Sequence, residues 1–187
     1  MAIRIFIDQG HNPSNPNAGA EGNGLREQDL TYEIGRLLAT RLREDPNFDV
    51  RLSRNTPTEI LGSSNTTSLA ARVNAANAWN ADYFISLHAN ASTDPNVGGT
   101  EGYAFSEASE GYALGVDIVN AIAAETGLRN RGMFVRPTLY VLRKTQMPAV
   151  LIEMGYITNT EDADLMSRRP DLFADAIYNG IVNYFSF

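Results

Sequence analysis

Apolar residues recur along the chain in two rhythms, a short β-branched run and a helical stripe, and they take turns. Ile3 to Ile7 is a short apolar run that stops at Asp8-Gln9-Gly10-His11, which predicts a buried strand ending in a turn. Asn12 to Gly24 has no periodicity and is rich in Asn, Pro, Gly and Ala, so it reads as a loop. Leu30, Ile34, Leu37, Leu38 and Leu42 then fall on one helical face, predicting an amphipathic helix over 27–44. Asp49 to Arg54 alternates like a strand, Asn55 to Thr67 is a polar loop, and Leu69, Val73, Ala76 and Trp79 mark a second helix. Tyr83 to Leu87 predicts a strand ending in His88, and Glu101 to Phe105 another. Tyr112 to Thr126 carries Leu114, Ile118 and Ile122 on one face, with Gly127 as its cap. Leu139 to Leu142 and Val150 to Ile152 read as two more short strands, the last ending in Glu153. Short helices near 161–167 and 172–184 close the chain. Strands alternating with helices predict one α/β domain over 1–187, with a mostly parallel or mixed sheet of about six strands flanked by helices.

Composition narrows the function classes. A chain of 187 residues suits one domain with one core, and 43% hydrophobic against 20% charged residues describes a globular chain. Fifteen Lys+Arg against 22 Asp+Glu give a net charge of −7, which argues against a nucleic-acid partner, since phosphate binding needs a basic face. No stretch approaches the ~18 apolar residues of a membrane span, so no membrane partner is expected. Cysteine is absent, which removes disulfides, cysteine nucleophiles, iron–sulfur clusters and Cys-based zinc fingers together. Met1 to Asp8 lacks the order of a secretory signal peptide. The expectation is either release without one or a domain cut from a longer precursor.

Both histidines of the chain, His11 and His88, directly follow apolar strands, and Glu153 does the same at a third. Ligands of open α/β sheets bind beyond the carboxyl ends of the strands, so these three groups point to one edge. A lone histidine after a strand is more often a hydrogen-bonded turn residue; placing both histidines and a Glu in the same kind of position is harder to assign to chance. Two imidazoles and a carboxylate are the ligand set of a catalytic zinc that keeps a position for water. Spacing leaves the carboxylate open. Glu27 opens the first helix, where a negative charge is favoured in any case; Glu21 and Asp29 are rivals; Glu153 is either ligand or general base.

The ordered blocks go further. Asp8-Gln9-Gly10-His11 is followed by Gly24 to Leu30 with Glu27 opening a helix; Leu69 to Arg72 is followed by Ala76-Asn77. Ser86 to Ala91 precedes Gly99 to Tyr103, and Pro148 to Glu153 precedes Gly155 and Asn159. In these blocks the chain, from Ile5 to about Ile181, resembles the zinc-dependent N-acetylmuramoyl-L-alanine amidases of the Amidase_3 group. The resemblance implies that His11, Glu27 and His88 bind one catalytic Zn2+ and that Glu153 is the catalytic carboxylate. It implies hydrolysis of the amide joining the lactyl group of N-acetylmuramic acid to L-alanine of the stem peptide, with peptidoglycan as partner.

One position departs from the pattern: Gln9 stands where family members usually have Pro, and little change in chemistry is expected from it. Arg72 is expected to be a structural ion-pair partner, and Asn90 a turn or supporting residue rather than a catalytic one. Two other readings stand beside this one, a zinc carboxypeptidase acting within the stem peptide and a wall-binding module without turnover. The site of action implied is the bacterial wall, reached as an extracellular, periplasmic or phage-released protein, and a monomer is expected. Some relatives carry a helix that blocks the zinc. Here the gaps at 92–97 and 106–110 are too short for one at about 1.5 Å per residue, so an open groove without an activator protein is expected.

Overall fold

The strands that read as unbroken apolar runs lie at the centre of one sheet, covered on both faces. The computed structural model describes residues 2–187. Its elements in chain order are β1 (Ile3–Gln9), β2 (Glu21–Gly22), β3 (Leu25–Arg26), α1 (Glu27–Glu44), β4 (Phe48–Leu52), α2 (Asn65–Ala78), β5 (Tyr83–Asn90) and β6 (Thr100–Ala104). They continue with α3 (Glu110–Thr126), β7 (Asn130–Val135), α4 (Tyr140–Lys144), β8 (Ala149–Tyr156), α5 (Thr160–Arg168) and α6 (Pro170–Phe185). Six strands form a mixed sheet in the order β4-β1-β5-β8-β6-β7, parallel throughout except where β6 meets β8. No helix of the described residues is long and apolar enough to cross a membrane.

Side chains alternate across the sheet with period two, and each face has its own core. Ile5 and Ile7 of β1, Ile85 and Leu87 of β5, and Val150 and Ile152 of β8 bury against the apolar stripes of α1, α3 and α6. Phe6, Phe84, Tyr103 and Leu151 face the other way, towards Val73 of α2 and Val141 and Leu142 of α4. Burying both faces is what makes central parallel strands read as continuous runs of β-branched residues. The helix ends follow local chemistry. Ser64 and Thr67 form a reciprocal capping box at the start of α2, and Ser109 caps α3, whose end is the left-handed Gly127.

Two expectations are corrected. Leu139 to Leu142 is not a strand: Tyr140–Lys144 is a single helical turn and a half, which buries Val141 and Leu142 over the second face. A four-residue apolar run has no period to tell a strand from a helix. The sixth strand is instead β7, an edge strand whose residues are half-buried or exposed and show no alternation. The 12–24 loop also carries a short strand, β2, which pairs with β3 just after the loop. The strand expected over 49–54 is Phe48–Leu52.

Candidate metal and catalytic site

The second face of the sheet turns polar toward the carboxyl ends of its strands. Along β1 the residues on that face pass from Phe6 to Asp8, along β5 from Phe84 through Ser86 to His88, and along β8 from Leu151 to Glu153. His88 and Glu153 are register partners in the parallel β5–β8 pair, and Glu101 and Glu153 in the antiparallel β6–β8 pair. One row of the sheet therefore carries Glu101, Glu153 and His88 side by side. His88 and Glu153 lie inside their strands rather than beyond them, since β5 runs on to Asn90 past an irregularity and β8 to Tyr156.

His11 enters from the turn after β1 with φ of 70°, in the left-handed region. That turn is held from several sides. Thr31 Oγ1 donates to the Gly10 carbonyl at 2.8 Å, and the Asn12 side chain donates to the carbonyls of Pro16 and Leu61 while accepting from the Leu61 N–H. Beneath it, buried Arg72 donates to Asp8 at 3.2 Å and to the Gln9 carbonyl at 2.8 Å, and Ser86 donates to the other Asp8 oxygen at 2.8 Å. Arg72 is thus the ion-pair partner expected. A second buried arginine, Arg54, lies close by and donates to the Gln28 carbonyl. Burial first, and then the charge of Arg72, push the Arg54 guanidinium down to about 10.

Glu27, the first residue of α1, brings its carboxylate between the two imidazoles. Oε1 lies 2.9 Å from His88 Nδ1 and accepts from the Ala89 N–H; Oε2 lies 3.1 Å from His11 Nε2 and accepts from the Ala20 N–H. Burial alone would raise this carboxyl, but the hydrogen bonds to His11 and His88 prevail and hold it well below the usual range. Space around the three is tight. A Cβ on Gly19 would stand 2.7 Å from Glu27 Oε2 and 3.0 Å from the His11 ring. The rivals lie elsewhere, Asp29 in an exposed ion pair with Arg26 and Glu21 exposed.

One ligand atom from each of His11, Glu27 and His88 lies within 4.8 Å of the others, so the three can hold a single metal ion. The donor set fits such a group. Two imidazole nitrogens and a carboxylate oxygen converge, and the buried Nδ1 of His11 has no hydrogen-bond partner among the described residues.

Both imidazoles and Glu153 line one cavity of about 500 Å³, together with Asn90, Val97, Glu101, Tyr103, Arg136, Leu139, Leu151 and Tyr156. Glu153 Oε2 is buried there without a hydrogen-bond partner among the described residues. Burial, followed by the charges of Glu27 and Glu101, pushes the Glu153 carboxyl well above its ordinary range, with Arg136 opposing. Glu101 is the opposite case. Its buried carboxylate accepts from Asn90 Nδ2 at 3.0 Å, Tyr103 at 2.5 Å, Arg131 at 2.7 Å and Tyr156 at 3.2 Å. Asn90 is therefore the supporting residue expected. The sequence reading assigned no role to Glu101, Tyr103, Arg136 or Tyr156. The available signal was Thr100-Glu101-Gly102-Tyr103, where alternation puts the carboxylate and the phenol on one face.

Gln9 has a structural part beyond the stiffness of the turn. It is fully buried; its N–H donates to Ser53 Oγ at 2.9 Å and its side-chain oxygen accepts from the Arg54 N–H at 2.9 Å, tying β1 to the end of β4. A proline there would lack that N–H.

Comparison with known proteins places the chain among relatives. The chain is 36% identical over 185 residues to the N-acetylmuramoyl-L-alanine amidase LytC of Bacillus subtilis, covering 97% of this chain and 35% of that protein. It is 38% identical over 185 residues to the N-acetylmuramoyl-L-alanine amidase CwlM of Bacillus licheniformis, covering 97% of this chain and 66% of that one. The chain thus spans about a third of one of these relatives and about two thirds of the other. Among solved structures, the N-acetylmuramoyl-L-alanine amidase AmiC2 of Nostoc punctiforme matches with a TM-score of 0.85 and 33% identity, over 99% of this chain and 98% of that one. Residues 5–183 match the family described as N-acetylmuramoyl-L-alanine amidase, and the chain belongs to that family.

Proposed function

We propose that this chain is a zinc-dependent peptidoglycan hydrolase that cleaves the amide between the lactyl group of N-acetylmuramic acid and L-alanine of the stem peptide. His11, Glu27 and His88 hold the zinc and Glu153 is the catalytic carboxylate. The observation that carries the assignment is the contrast among three carboxylates. Glu27 is engaged by both imidazoles and Glu101 by four donors, whereas Glu153 has a buried oxygen with no partner, in the cavity the two histidines line.

Zinc bound there supplies Lewis-acid polarisation of the attacking water and of the amide carbonyl. Glu153 takes the proton from that water at its free oxygen and delivers it to the alanine nitrogen as the C–N bond breaks. Neither histidine is available for the proton, because both face Glu27 and the metal position. Apolar Val97, Leu139 and Leu151 line the same cavity and limit water around the reacting amide.

The site of action that follows is the bacterial wall, outside the cytoplasm, whether the protein is exported or released by a phage. The chain works as a monomer without an activator. An open cavity supports this: no helix lies between Asn90 and Thr100, and no residue of 55–67 lines the cavity. The test is digestion of purified sacculi by the zinc-loaded chain alone. Expected products are glycan strands and intact stem peptides with a free N-terminal alanine, with chelation abolishing turnover, zinc restoring it, and the circular dichroism spectrum staying folded. Shortened stems would indicate the carboxypeptidase reading, and turnover only with a second wall protein would defeat the open groove.

A further inference from the structure

Within the cavity that His11, His88 and Glu153 line, one cation has no counter-ion. Glu101 is matched by Arg131, which approaches it at 2.7 Å. Arg136 lines the cavity itself, is exposed, and has no carboxylate within ion-pair distance among the described residues. Its position is nevertheless built. The residue follows β7, its N–H donates to the Ala104 carbonyl at 2.9 Å, and its guanidinium carbon sits 4.6 Å from the centroid of the Tyr103 ring. That ring is fixed in turn by the Tyr103 hydroxyl, which donates to buried Glu101. A guanidinium resting on an aromatic face keeps its N–H fork free, and that fork matches a carboxylate in two parallel hydrogen bonds.

We infer that Arg136 is a substrate-specificity residue that binds the free carboxylate of the stem residue following L-alanine. The inference rests on the amidase reading above. When the scissile amide sits between the histidines and Glu153, the next stem residue lies one residue further along, about 3.5 Å of extended chain. In peptidoglycan that residue is a glutamate joined onward through its side chain, which leaves its α-carboxylate free. The cavity that begins at the histidines reaches Arg136, and among the described residues no other uncompensated cation lines it. The chain is acidic overall, so the attraction is local to this corner of the groove.

The test uses two synthetic N-acetylmuramoyl-L-alanyl-D-glutamate compounds, both with the side-chain carboxyl capped as an amide, one with a free α-carboxylate and one with that group as a carboxamide. The zinc-loaded wild type is expected to favour the carboxylate by about tenfold in kcat/KM, mostly through KM, the size of one charge-assisted pair in a wet site. Arg136→Gln should bring the ratio near one, and Arg136→Lys should keep part of it. Calorimetric titration of zinc-loaded Glu153→Gln, with and without Arg136→Gln, should give the same discrimination in binding. A ratio near one in the wild type, or a wild-type ratio in Arg136→Gln, overturns the inference. If neither compound is cut at the alanine amide, the amidase reading falls, while the titration still decides whether Arg136 reads the carboxylate.

Discussion

Adding one methyl group at Gly10 tests whether the metal position depends on close packing between the His11 turn and β5. A Cβ at Gly10 would stand 2.6 Å from His88 Cε1, 2.7 Å from His88 Nε2 and 2.6 Å from the Leu87 carbonyl oxygen. Ordinary contact begins at 3.4 Å, so about 0.8 Å has to be found. The Leu87 carbonyl cannot supply it cheaply, because it accepts the Gly10 N–H at 3.0 Å where Gln9 and Leu87 pair across the sheet. The His88 ring must move away from Glu27, or the β1–β5 pairing must open. Overpacking of this kind costs about 1–3 kcal/mol. In a chain of this size each kcal/mol is worth about 2–4 °C in melting temperature, so a fall of several degrees is expected. Displacing a ligand's setting weakens metal binding by about ten- to a hundredfold. Zinc affinity by competition with a chromogenic chelator, alongside thermal melting of the metal-free protein, reads both effects. A Gly10→Ala protein with wild-type zinc affinity and a melting temperature within about a degree of wild type would refute the packing argument.

Two changes elsewhere have distinct signatures. Glu153→Gln should keep about one zinc per chain and lose activity by about 10²-fold or more, as removal of a general base does. The same change should stabilise the metal-free protein at neutral pH by about 1 kcal/mol. A carboxyl raised on folding supports the fold below its unfolded pKa of about 4.3 and loses that support as pH rises through the folded value, so the gain should vanish near that pH. A pH-independent difference in urea midpoints would contradict this. Arg72→Leu leaves buried Asp8 without its cation and should cost about 3–5 kcal/mol by urea denaturation; a loss under about 1 kcal/mol would mean the pair is dispensable.

The parts legible in the sequence are those whose signal is local. β1, β5 and β8 announce themselves because both faces are buried, and His11, His88 and Glu153 because each follows such a run. α3 was readable from Leu114, Ile118 and Ile122, with Gly127 at its end. β7 was not, because an edge strand beginning Asn130-Arg131-Gly132 has one neighbour and no buried face to impose a period. Leu139 to Leu142 misled for the complementary reason, since its apolar residues cover a core as a short helix does. Spacing could not choose Glu27 over Glu21 or Asp29, because the choice is made by the direction in which α1 leaves the β2–β3 ladder. The cluster around Glu101 was hidden for a similar reason: its donors come from Asn90, Tyr103, Arg131 and Tyr156, and only the sheet order brings them together.

The sheet order has a consequence for how the protein comes into being. Among the described residues β8 is the only strand that joins the two sides of the sheet, with β4, β1 and β5 on one side and β6 and β7 on the other. The chain makes β6 and β7 first, yet they have no pairing with the older strands until β8 slides in between. A nascent or truncated chain ending before Ala149 is therefore two unjoined ribbons. It carries His11, Glu27 and His88, but it has neither Glu153 nor the strand that seats Glu101 beside them. The carboxylates of the cavity come together only when the keystone strand is in place.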